Sequence, residues 1–129
     1  MRALATAAFF TSLIVLGCSP PSAIRAPDVE EAVIVNLNQT GTNGRLSPEG
    51  LFPLEEELIS ALENSGVGEF DGDEVAVDGS AATLYMYGPD AERLFRAVEP
   101  ILRNSPLCRG ATVEIRSGNV GAATRVVRM

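Results

Sequence analysis

The stretch ATLYMYGPDAERLFRAVEPIL, Ala82–Leu102, decides the fold. Its first six residues alternate about Tyr85 and Tyr87, the period-two pattern of a half-buried strand. Gly88-Pro89 breaks that strand. Asp90 is the kind of residue that opens a helix, its carboxylate accepting from an N–H of the first turn. Leu94, Phe95, Val98, Ile101 and Leu102 then recur at helical spacing, with Arg93, Arg96 and Arg103 towards solvent. Pro100 falls inside that pattern and predicts a kink or loosened last turns.

On the N-terminal side, Val67–Phe70 and Glu74–Val77 read as one strand with a break or bulge at Asp71-Gly72. It closes in a turn at Asp78-Gly79-Ser80. Further upstream, Leu51, Leu54, Leu58, Ala61 and Leu62 repeat at helical spacing, and Asn64-Ser65-Gly66 supplies the stop. Pro53 leaves two readings of the start: a helix beginning at about Pro53, or one opening at Ser47-Pro48 and kinked at Pro53. Ala32–Asn38 is a β-branched strand that ends at a Gly/Asn/Thr loop. Downstream, Ala111–Arg116 alternates as a strand, and Thr124–Arg128 reads as an additional edge strand.

The order β-α-β-β-α-β, with right-handed crossovers over one antiparallel sheet, predicts an α+β ferredoxin-like sandwich with both helices on one face. Residues 29–129 form this single domain, and the other face of the sheet is left for water, a partner or a second copy. Parity within Ala82–Tyr87 allows either Leu84 and Met86 or Tyr85 and Tyr87 to point at the helices. If the tyrosines take the open face, they are contact residues.

Two motifs carry a resemblance: Gly66-Val67-Gly68-Glu69-Phe70-Asp71-Gly72-Asp73-Glu74 and Tyr87-Gly88-Pro89-Asp90-Ala91-Glu92-Arg93-Leu94-Phe95. With Val98–Leu102 and Ser105-Pro106-Leu107, they make the chain resemble a family of small bacterial proteins that has no assigned activity. The resemblance implies the ferredoxin-like fold and no chemistry. That family has a more Gly-rich hairpin where Val75-Ala76-Val77 stands here, and no proline at the place of Pro53.

Residues 1–17 pair Arg2 with an uncharged, mostly apolar run from Ala3 to Gly17. This is the layout of a secretory signal, shorter than the roughly 18–20 residues that span a bilayer. Val15-Leu16-Gly17-Cys18 resembles the lipobox of bacterial lipoproteins. That resemblance implies cleavage before Cys18 and acylation of Cys18 by chains such as palmitate, and Ser19 implies the outer membrane where there are two. Several chains, at about 0.8 kcal/mol per buried CH₂, would hold the protein on the membrane. Residues 18–28, rich in Pro, Ser and Ala, read as a flexible tether.

Composition narrows the chemistry. The 129 residues contain no His and no Lys. That removes His-dependent triads, His-ligated zinc, Schiff bases and Walker-type lysines. Residues 18–129 carry a net charge of −8, which disfavours nucleic acid. No G-x-S-x-G elbow is present. Once Cys18 is acylated, Cys108 is a lone thiol, read as a small packed side chain at a helix-to-strand junction.

The densest acidic cluster is Glu69, Asp71, Asp73 and Glu74. Counted from Asp71, an EF-hand would need an oxygen ligand at position five and Gly at six, where Val75 and Ala76 stand. The cluster therefore reads first as a solvated hairpin rim, with a cation or partner contact as the functional alternative. Glu55-Glu56-Glu57 reads as helix-start charge that suits the macrodipole. Charge is divided along the chain, with twelve acids and one Arg in residues 28–74 against four acids and seven Arg in residues 90–129.

The reading is a membrane-anchored lipoprotein acting as a small non-enzymatic binding module, without cofactor or metal. Its partners would be the bilayer through Cys18 and either another protein or a second copy. A carboxylate- or metal-assisted hydrolase built on Glu69–Glu74, and an inhibitor or immunity-type protein, are the alternatives.

Overall fold

The computed structural model describes residues 30–39 and 44–129. The expected signal segment, the tether and Cys18 lie outside the described residues. Five strands and two helices follow in the order β1 (Glu31–Asn38), α1 (Pro48–Ser65), β2 (Glu69–Val75), β3 (Ala81–Gly88), α2 (Ala91–Asn104), β4 (Thr112–Arg116) and β5 (Thr124–Arg128). A short 3-10 turn, Pro106–Cys108, joins α2 to β4. The sheet runs β2-β3-β1-β4-β5, and every neighbouring pair is antiparallel. The described residues thus form an α+β fold with a five-stranded antiparallel sheet and two helices, and Thr124–Arg128 is its fifth strand, at the edge beside β4.

Local chemistry explains the boundaries. Helix α1 opens at Pro48, where a missing N–H costs nothing, and the Ser47 hydroxyl accepts from Gly50 N–H at 3.2 Å. It ends on Gly66, whose φ of 63° suits a residue without a Cβ. Pro53 lies inside the helix rather than at its start, on an exposed position. The carbonyl it leaves without a partner, that of Glu49, belongs to an exposed first-turn residue that water can serve. Pro100 is equally exposed, and α2 runs on to Asn104. Asp90 caps α2 by accepting from Arg93 N–H at 3.0 Å, and the Glu31 carboxylate accepts from Ala91 N–H at 2.7 Å. Strand β2 carries its irregularity between Phe70 and Gly72, so Asp71 is the extra residue of a bulge.

The core lies between the helices and one face of the sheet. Val33, Val35 and Leu37 of β1, Ala82, Leu84 and Met86 of β3, and Val113 and Ile115 of β4 meet Leu51, Leu54, Leu58 and Leu62 of α1. Leu94, Phe95, Val98 and Leu102 of α2 complete it. Each fully enclosed Leu contributes about 1.5–3 kcal/mol over an exposed one. Parity then fixes the opposite face, because successive strand residues alternate sides.

Candidate functional site

With Leu84 and Met86 wholly buried under the helices, Tyr85 and Tyr87 occupy the uncovered face at partial exposure. The register arranges that face in three rows across the sheet, running from β2 to β5. The first is Glu69, Tyr87, Ala32, Arg116 and Thr124; the second is Gly72, Tyr85, Ile34, Glu114 and Val126; the third is Glu74, Thr83, Asn36, Thr112 and Arg128. Tyr85, Tyr87 and Ile34 form a half-exposed apolar patch on β3 and β1, and Glu114 separates it from Val126, 61% exposed on the β5 edge. Ala32 is fully buried although it points away from the helices, flanked by Tyr87 and Arg116. The β2 margin carries Glu69 and Glu74, and the other side carries Arg116 and Arg128.

Hydrogen bonds order this surface. Tyr85 O–H donates to Glu74 Oε2 at 2.9 Å, which holds the phenol above its ordinary pKa by stabilising the protonated form. Thr83 O–H donates to Asn36 Oδ1 at 3.3 Å, and Asn36 Nδ2 donates to Glu114 Oε1 at 2.9 Å. Arg116 Nε donates to the Gly118 carbonyl at 3.2 Å. Among the described residues, Glu69 and Arg128 make no ion pair.

The four acids of the β2 cluster separate. Glu69 and Glu74 project onto the uncovered face. The bulge shifts the register so that Asp73, opposite Leu84, turns towards the helices, and Asp71 is the unpaired residue of the bulge. Among the described residues, no three His, Cys, Asp or Glu side chains are grouped to hold a metal ion.

Asp73 instead meets Glu55 of α1. Burial first, then the Asp73 charge and a hydrogen bond to Asp73, raise the Glu55 pKa above its ordinary 4.5. Glu55 Oε1 is buried without a hydrogen-bond partner. The expectation of helix-start charge at Glu55, Glu56 and Glu57 fails, because α1 opens at Pro48 and the run lies beyond its first turn, and only the packing of α1 on β2 singles out Glu55.

Cys108 is buried in the 3-10 turn, and burial pushes its thiol up to about 11. On the helix side of β5, Arg125 holds Glu92 of α2 with two bonds of 3.0 and 2.8 Å and stacks 5.6 Å over the Phe95 ring. No family model matches the chain, and neither a curated protein nor a solved structure matches it.

Proposed function

We propose that this protein is a lipid-anchored binding module of the bacterial envelope, built on a ferredoxin-like sandwich extended by β5, and that its uncovered sheet face receives a protein partner. One observation carries this reading: an apolar patch of Tyr85, Tyr87 and Ile34 set between an acidic β2 margin, Glu69 and Glu74, and a β4-β5 side that bears Arg116 and Arg128 beside Glu114 and Val126. Apolar area supplies association energy, while opposed charges at the rim set orientation and exclude wrong partners. Acylation at Cys18, followed by the tether, would hold the domain near the membrane with this face free to meet a neighbour. The resemblance to the family carrying the Gly66–Glu74 and Tyr87–Phe95 motifs supports the sandwich.

Two experiments test the reading. Cys18→Ala in the full chain should move the protein from the membrane fraction to the soluble fraction, and unchanged membrane partitioning would overturn the anchor. A photo-crosslinking residue at Tyr87 should form a discrete adduct in intact cells, lost when Ile34 is changed to Arg. The same probe at Glu56, on the solvent side of α1, should form none. Equal labelling from both positions would overturn a role for the face.

A further inference from the structure

We infer that the occupant of the uncovered face is a second copy of the same chain, packed with its two-fold axis along β1. The inference rests on the binding-module reading and adds the identity and geometry of the partner. Two sheets packed face to face lie about 10 Å apart with strand directions within about 30°. Because β1 is the middle strand of five, an axis parallel to it lays the β2 side of one copy over the β5 side of the other.

Row by row, the contacts then complement one another. Glu74 meets Arg128 of the other copy, two groups that make no ion pair among the described residues. Tyr87 presents its ring to Arg116, a favourable cation–π pairing. Gly72 offers a gap opposite exposed Val126, and Ile34 meets its own copy on the axis. An axis across the strands would instead stack β2 on β2 with the rows reversed, setting Glu69 against Glu74 of the other copy. Like charges so placed are repulsive, which selects the first arrangement.

The footprint sets the strength. Five strands about 4.8 Å apart and three rows of residues cover roughly 20 by 20 Å. That is about half of the ~800 Å² per partner of a standard interface, so affinity is low in dilute solution. The lipid anchor of the proposed reading would compensate by raising the effective concentration of neighbouring copies.

The test uses two differently tagged full-length chains expressed together and probed in membranes with a short bis-maleimide. Introduced cysteines are the reactive ones, since Cys108 is buried and Cys18 is acylated on the proposed reading, and the chain with no introduced cysteine, which should give no product, is the control. Glu74→Cys on one tag with Arg128→Cys on the other should give the mixed-tag product, as should Ile34→Cys with itself. Glu74→Cys with itself should give none. Charge reversal by Glu74→Arg should lower the dimer product of the Tyr87 photo-probe about tenfold, and adding Arg128→Glu should restore it. A Glu74–Glu74 product, absence of the mixed product, or failure of the double reversal to restore overturns the inference. If the photo-probe labels a different protein, the second copy falls and the binding module stands. If it labels nothing, both fall.

Discussion

Glu55→Gln should stabilise the fold at neutral pH. Glu55 Oε1 is enclosed without a partner, and the Asp73 carboxylate beside it carries the same charge. Two adjacent carboxyl groups can share a hydrogen bond only when one holds a proton, so the fold retains the Glu55 proton above the ordinary 4.5. The folded chain then binds that proton more tightly than the unfolded chain does. This contribution is fully present below about pH 4.5 and is lost as pH rises through the folded-state pKa. Gln has nearly the same size and helix preference, carries no charge, and can donate an amide N–H to Asp73. An enclosed polar atom without a partner costs about 1–3 kcal/mol, and a half-enclosed side chain such as this one belongs near 1 kcal/mol. For a domain of this size that is about 4–8 °C in Tm. Thermal melts of parent and variant should nearly coincide at about pH 4 and separate by that amount near neutrality. Asp78 and Glu92, held below the ordinary carboxylate range by hydrogen bonds from Ser80 and Arg125, act with the opposite sign. They are common to both proteins and cancel in the difference. A variant that melts lower than its parent at neutral pH, or a gap that does not vary with pH, would refute the argument.

Gly68 tests the close approach of the start of β2 to β3. A Cβ there would collide with the Tyr87 carbonyl oxygen and lie 2.7 Å from Leu94 Cδ1, so Gly68→Ala should cost about 1–3 kcal/mol in denaturant unfolding. An unchanged unfolding midpoint would contradict that packing. With its thiol pushed up to about 11 from 9.0, Cys108 should react with a thiol reagent at least about 100-fold more slowly in the native protein than in urea. Comparable rates would place it at the surface. Arg125→Ala removes the two bonds to Glu92 and the stack on Phe95, so it should lower Tm, and the loss should shrink as salt rises. A salt-independent loss would assign the effect to packing alone.

The elements were legible because their signals are local. The alternation in Ala82–Tyr87, the Asp90 cap and the stripe from Leu94 to Leu102 each need only neighbouring residues, and the strand and helix stand where those signals put them. Pro53 was ambiguous for an equally physical reason: its cost depends on whether the carbonyl four residues earlier faces water, which is a tertiary fact. Which pair of β3 residues faces the helices is tertiary too. A period of two gives two faces without choosing between them, and the choice comes from Leu84 and Met86 fitting among α1 and α2. Glu55 lay beyond reach because nothing in three consecutive glutamates marks the one that packs against a bulged strand.

The division of charge along the chain gains its meaning only through the strand order. Acids dominate residues 28–74 and arginines residues 90–129, a pattern that could have paired internally across the helices. Part of it does, in the bond between Glu92 and Arg125 and the i,i+4 pair between Glu99 and Arg103 at 2.7 Å. Both pairs lie within the Arg-rich half, so they leave the contrast between halves intact. Because the sheet runs β2-β3-β1-β4-β5, the strand that ends the acidic half and the strand that ends the Arg-rich half become its two opposite edges. Four strand spacings of about 4.8 Å keep Glu69 and Glu74 too far from Arg128 for an ion pair inside one molecule. A second copy turned about β1 would close that distance on both sides at once, so edge charges that make no ion pair among the described residues of one copy become a specification for how two copies meet.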